Sequence, residues 1–465
     1  MNTTQNTDQE KLGADQEKLG RSPLGRLLMG YALPSIIAMT ATSLYNMVDS
    51  IFIGQADGPL GLAGLTVCFP LMNLSAAFGA MVGIGAGTMT ALKIGQRDIE
   101  GAEHTLGNVV MLNVLLGFLF AAISLIFLDP ILTFFGASES SLPYARAYMS
   151  VLLFGNILTH LYLGLNDVVR SSGYPRRAMI ATLTAVGLNV LFDYVLIVLM
   201  GMGIRGAAIG TLLAQAVALC VVLNHLTSPT SFIHFKKGIF KWRPKIVRSI
   251  ISIGSAPFFT NCCACLVVLL INNGLGTYGG DNHISAYGIA NRLAFIFIMV
   301  TQGICQGMQP ISGFNYGADL VGRCIGIYRL AAIGGTIVMT CGFLLIEIFP
   351  RFFTLWFTKD ETLICITEHA LRMVFLLFPL VGFQIVTVGF LLSIGRSGKA
   401  ILLSLSRQLL CLTPLLIILP RFYGADGVWM AMPISDGFSV IVATILCIGQ
   451  LRILRRMEAA KDEAR

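Results

Sequence analysis

Charge is what this sequence has least of. Asp, Glu, Lys and Arg make up 12% of 465 residues, where a soluble domain carries roughly a quarter. An ordinary soluble globular protein is thereby excluded. The 55% hydrophobic content and mean hydropathy of +0.77 place the chain among polytopic membrane proteins. No short apolar segment leads into a cleavage site, so no signal peptide is expected. Gly-x-Ser-x-Gly, zinc-protease and phosphate-binding signatures are missing, which argues against an enzyme and against ATP as the energy source. The eleven cysteines are scattered through apolar stretches. "CCAC" at 262–265 holds one Cys-x-x-Cys, but no second pair completes a metal site, so small buried side chains are expected. The net charge of +8 does not point to nucleic acid, because in such a chain the position of charge matters more than its sum.

Long apolar runs are abundant. A bilayer-spanning helix needs about 20 apolar residues. Twelve candidates occur at 25–54, 62–92, 103–128, 143–171, 177–200, 205–227, 246–274, 284–314, 323–349, 365–394, 399–420 and 426–450. An even number puts both termini on one side. Lys and Arg concentrate in the connections on that side, most of all in 228–245 with Lys236, Lys237, Lys241, Arg243 and Lys245. The positive-inside rule makes that side cytoplasmic.

The polar first 22 residues, with "DQEKLG" doubled at 8–13 and 15–20, are expected to be a disordered cytoplasmic tail. Residues 23–228 form a first six-helix lobe, 229–245 a cytoplasmic linker, 246–452 a second lobe and 453–465 a cytoplasmic tail. The lobes repeat at a nearly constant offset. Pro34 and Pro257 are 223 apart, as are Ala63 and Ala286; Gly95 and Gly317 are 222 apart, as are Gly173 and Gly395. The fold class read from this pattern is an all-α integral membrane protein with twelve transmembrane helices in two pseudo-symmetric six-helix lobes of the same orientation, a common plan for secondary transporters.

Polar groups inside such helices cost free energy, about 2.5–3.5 kcal/mol for an acid at a helix centre, so each is a functional candidate. Asp193 interrupts "LNVLFDYVLIVL" (188–199), with Asn189 one turn earlier on the same face. In the first span Thr42, Tyr45 and Asp49 follow each other by three and four, a single polar stripe. Both faces must avoid lipid, and the simplest arrangement points the Asp49 and Asp193 carboxyls into one cavity. Two carboxyls in a low-dielectric pocket do not comfortably both ionise. Such a pair holds a proton, or takes a sodium ion with oxygen ligands from Asn189 and Thr211, or only ties helices together. Asp436, in "MAMPISDGF", has Arg292 and Arg407 as intramembrane partners, and a salt bridge is its expected role. Glu347, beside Pro350 and Arg351, is expected at the interface, and the lone His160 in the core. "GIGAG" (83–87) lies inside a span with no preceding strand, so close helix packing is its expected use.

In this order the residues resemble a known family, the multidrug and toxic compound extrusion (MATE) transporters, most nearly its bacterial DinF-like and MepA-like branches. The resemblance covers residues 22–452 and rests on "YNMVDSIFIGQ" (45–55), "SSGYPRRAM" (171–179), "LNVLFDYVLI" (188–197) and "GMQPISGFNYGA" (307–318). It implies two six-helix lobes in a V that alternate between outward-open and inward-open states. It implies exchange of small cationic or amphipathic drugs for protons or sodium across a bacterial cell membrane, by a lipid-embedded monomer with no cofactor and no metal beyond a coupling sodium. In the DinF-like branch the coupling ion sits on a network whose positions here are Asp49, Asn166, Asn189, Asp193 and Thr211, with Tyr45 alongside and Pro34 as a bending point. Outside protonation of Asp49 and Asp193 would then release a cationic substrate outward. The NorM-like branch uses an acid in the seventh span; "APFFTNCCACLVVLLINNGLG" has none, which favours the first lobe. A lipid-linked saccharide flippase of the same superfamily is the alternative function. It is disfavoured by twelve spans and by only two deep arginines, Arg292 and Arg407.

Overall fold

The computed structural model describes residues 19–228, 231–236 and 238–463, and all secondary structure among them is helical. Residues 24–57 (α1) and 59–95 (α2) run on from one another and break at Gly58, whose φ of 64° only glycine adopts easily. There follow α3 (Ile99–Ile126), α4 (Leu128–Phe134), α5 (Leu142–Phe154), α6 (Asn156–Ser171), α7 (Pro175–Asp193), α8 (Gly203–Thr227), α9 (Pro244–Gly279) and α10 (Asp281–Gly317). The rest are α11 (Val321–Ile348), α12 (Pro350–Thr354), α13 (Glu361–Phe375), α14 (Phe378–Ser393), α15 (Ser397–Leu405), α16 (Thr413–Ile418), α17 (Pro420–Tyr423) and α18 (Ala425–Glu463). Two π-helical turns, Tyr194–Leu199 and Ser406–Leu412, extend α7 and α15.

Among the described residues nine runs are long and apolar enough to cross a membrane, or eleven when the bent pairs α5–α6 and α13–α14 each count as one. Separating α1 from α2 at Gly58 gives twelve, at the positions the sequence predicts. Polar loops are short because every backbone group inside a bilayer must be bonded within the helix. Large apolar side chains such as Phe118, Ile126, Ile333 and Ile445 stay exposed on the protein and suit a lipid surround.

The repeat is visible in the backbone. Non-glycine residues at positive φ are Arg97 (59°) and Asp319 (58°), 222 positions apart. Left-handed glycines pair the same way, Gly58 with Gly280 and Gly173 with Gly395. The fourth and tenth spans are the bent ones, by 57° and 49°, and the fifth and eleventh carry the π turns. Duplicated turn chemistry produces duplicated breaks.

The chain forms two compact units, one built on Ile37–Phe258 and the other on Pro23–Ile36 with Phe259–Arg465. The divisions fall just after Pro34 and Pro257 rather than in the polar segment 229–245. Proline inside a helix removes a backbone bond and loosens the continuity of packing there. Close approach explains why the start of α9 belongs to unit 1: a Cβ at Gly254 would overlap the Met81 carbonyl, and one at Gly85 the Ile250 carbonyl. Gly85 is the middle glycine of "GIGAG", and Gly83 and Gly87 abut Asp167 and Ser171 of α6.

Three of the expected segments differ in detail. Residues 1–18 of the expected tail lie outside the described residues, and Leu19, the first described residue, is buried. The segment expected as a free linker is a strap docked on α3, with Ile233 and Ile239 buried; 229, 230 and 237 lie outside the described residues. Lys236 pairs with buried Glu103, and Arg243 reaches Glu100 at 3.2 Å. Apolar anchors and ion pairs in the strap itself give it a place to bind. The C-terminal segment expected from 453 continues α18 to Glu463.

Candidate functional site

Asp193 is the last residue of α7, directly before the π turn Tyr194–Leu199. A π turn inserts an extra residue into the helical ladder and is frequent at functional sites. Asp193 is fully buried. It is admitted by Gly210 of α8, where a Cβ would stand 2.8 Å from its Oδ1. Asn189, one turn back, donates through Nδ2 to Thr211 Oγ1 at 3.1 Å and, more distantly, to Asp193 Oδ1 at 3.5 Å. Asp49 of α1 is buried and lies within range of the Asp193 charge. Tyr45, a turn earlier, lies near Asp49, Asp193 and Tyr162.

Asn166 of α6 donates to Thr182 Oγ1 at 3.1 Å. Thr182 also accepts from Tyr162 at 3.5 Å and passes its own proton to the Ala178 carbonyl at 3.1 Å. The side-chain donors of Asn166, Asn189 and Thr182 are thus committed. Four buried oxygens are not: Asp49 Oδ1, Asn166 Oδ1, Asn189 Oδ1 and Asp193 Oδ2 have no hydrogen-bond partner among the described residues. A buried acceptor without a donor costs about 1–3 kcal/mol, so the group is suited to a guest that brings positive charge or a proton.

The structure therefore brings together Asp49, Asn189, Asp193 and Thr211, with Tyr45 beside them and Asn166 tied in through Thr182 and Tyr162. Thr42 turns its hydroxyl to the Ala38 carbonyl at 2.9 Å. Pro34 groups with unit 2 and not with the acids of unit 1. Thr182 and Tyr162 are partners that the sequence reading missed. The signal was present: Thr182 is two turns from Asn189, and Tyr162 one turn from Asn166.

In unit 2, Arg407 donates through Nε to Asp436 Oδ1 at 2.7 Å, with Asp436 buried. That is the salt bridge expected of Asp436. Arg292 is exposed on α10 and makes no ion pair or hydrogen bond with a described residue, so it is no part of this pair. Glu347 ends α11, and Arg351 pairs instead with Glu361 at 2.8 Å. His160 is fully buried and shares Ser75 Oγ (3.2 Å) with Asn156, an interior polar cluster. All eleven cysteines are free thiols.

Comparison with known proteins places this architecture. A Staphylococcus haemolyticus multidrug export protein, MepA, is 23% identical over 432 residues, 91% of this chain and 93% of the relative. A crystal structure of MATE in the bent conformation superposes with a TM-score of 0.90 at 24% identity, over 96% of this chain and 99% of the other. An outward-facing structure of a multidrug resistance MATE family transporter of the MOP superfamily gives 0.89 at 24% identity, over 94% and 98%. The MatE family profile matches twice, at residues 34–195 and 257–418. Both matches begin at a proline of the duplicated pair, and together they take in most of both halves. On these grounds the chain belongs to the MatE family of membrane transporters.

Proposed function

We propose that the chain exports cationic and amphipathic organic compounds by antiport, in exchange for protons or sodium ions held at Asp49, Asn166, Asn189, Asp193 and Thr211. The observation that carries this reading is the set of four buried, unpaired oxygens on three helices of unit 1, α1, α6 and α7. Every unpaired atom of that network is an acceptor. Two neighbouring carboxyls in a low-dielectric interior favour a bound positive charge, and amide and hydroxyl oxygens can complete a shell for a hard cation. The name of the Staphylococcus haemolyticus relative, a multidrug export protein, supports organic compounds as cargo.

In this mechanism the guest cation enters from outside and neutralises Asp49 and Asp193. The pocket then no longer attracts a cationic substrate, which leaves outward. Loss of the cation toward the cytoplasm restores the anionic pocket. The protein works as a monomer in a bacterial cell membrane with both termini cytoplasmic, on the side where Lys and Arg collect. Everted vesicles test the reading: ethidium should drive proton or sodium release from wild-type vesicles and not from Asp193→Asn vesicles. Release at the wild-type rate in Asp193→Asn would overturn the site, and comparison of an imposed pH gradient with a sodium gradient identifies the ion.

A further inference from the structure

Both halves carry a π turn in the corresponding span, and near the start of each lies an ionisable side chain, the two being of opposite sign. In unit 1 that residue is Asp193, next to Tyr194–Leu199; in unit 2 it is Arg407, within Ser406–Leu412. Arg407 lies near the centre of the span Ser397–Tyr423. Its Nε is held by Asp436 at 2.7 Å, and its terminal N–H groups bond to no described residue. The Arg407 side chain is 30% exposed while that of Asp436 is 4% exposed. A guanidinium exposed to lipid at that depth is costly, so its open edge calls for a polar partner. Ser439, one turn along α18 from Asp436, is fully buried, and its hydroxyl has no hydrogen-bond partner among the described residues.

We propose that the Arg407–Asp436 pair is a substrate-recognition site for a carboxylate carried by an amphipathic or zwitterionic compound. Asp436 offsets the cost of placing a guanidinium inside the membrane and fixes the plane of the fork through Nε. The open edge then offers parallel N–H donors, the arrangement that a carboxylate accepts with both oxygens. The pair is neutral overall, so it does not repel a compound that is cationic elsewhere. A purely cationic ligand gains nothing from it. The inference deepens the export reading above and rests on it.

Rhodamine B, which has a free carboxylate, and rhodamine B ethyl ester, its cationic counterpart, separate the possibilities. Their dissociation constants are measured by fluorescence with the full chain in lipid nanodiscs. Arg407→Gln should shift the ratio of the two constants by about tenfold against rhodamine B. Asp436→Asn leaves Arg407 unbalanced and should shift the ratio the other way, a reversal that loss of packing does not produce. The double variant Arg407→Gln with Asp436→Asn holds no lone buried charge, and should show the same loss of selectivity if Arg407→Gln alone does not fold. An equal weakening of both dyes, or an unchanged ratio, would overturn the site. Wild-type protein that bound neither dye would instead overturn the export reading, and this inference with it.

Discussion

Asn189 donates its side-chain N–H to the Thr211 hydroxyl at 3.1 Å, and that bond decides which end of the amide is open to a guest. With Nδ2 turned to α8, Oδ1 is left as the free end. Thr211→Val removes the acceptor and releases the amide to rotate. The cation concentration that half-saturates substrate efflux should rise about fivefold, the effect of one hydrogen bond worth roughly 1 kcal/mol. A half-saturation equal to wild type would remove Thr211 from the site.

Asp49 and Asp193 lie on different helices yet share one region of unit 1. If they serve one guest, their effects are not additive. Each of Asp49→Asn and Asp193→Asn should lower gradient-driven efflux by at least about tenfold, and the double variant should lose little more than either single one. Losses that multiply would mean two independent ion sites. Initial rates in vesicles under a fixed gradient read the difference.

Much of this was legible in the residues. Apolar run length gave the twelve spans, and the offset of Pro34 from Pro257 gave the duplication, because both signals are set by the bilayer and by local backbone chemistry. Asp193 was legible for the same reason: a carboxyl in lipid is costly wherever it occurs. The π turn after it was not, since nothing in "DYVLIVL" differs from an ordinary helix until Gly201 and Gly203 break it at φ 65° and 57°. Asn166, Thr182 and Tyr162 meet through packing of α6 on α7, which no spacing within one helix encodes. The strap was misread as a linker because its polarity is conspicuous, while Ile233 and Ile239, which bury it, are isolated apolar residues.

Outside the spans, Asp98 caps α3 and bonds Lys93 at 2.7 Å. The hydrogen bond from Lys93, followed by that from the Gly101 N–H, holds its carboxyl below the usual carboxylate range. A lowered folded value means that the stability it adds is present above the unfolded value of about 3.9 and is lost as pH falls through the folded one. Its side chain is 41% exposed, so solvent screening keeps the effect under about 1 kcal/mol. Asn caps a helix as well as Asp does, so Asp98→Asn isolates the charge. The variant should melt slightly below wild type at neutral pH, and the gap should close as pH falls through the lowered folded value. A gap that persisted in acid would assign the loss to geometry instead.

One buried amide grips the backbone of the strap. Asn108 accepts from the Arg243 N–H and donates to the Lys241 carbonyl, both at 3.1 Å, and so grips the backbone on either side of Trp242. Asn108→Ala leaves two backbone groups without partners at a cost of about 1–3 kcal/mol. Much of that cost can be met by local release, because Trp242 and Phe240 are already exposed and water reaches the freed groups. Hydrogen exchange of residues 239–243 should therefore accelerate about tenfold, with a smaller change in the helices. Asn108→Asp keeps the acceptor for Arg243 and loses the donor for Lys241, so its exchange should fall between the two. Wild-type protection in Asn108→Ala would transfer the hold to Ile239 and to the Lys236–Glu103 pair, and the same measurement on Lys236→Ala would then show the acceleration.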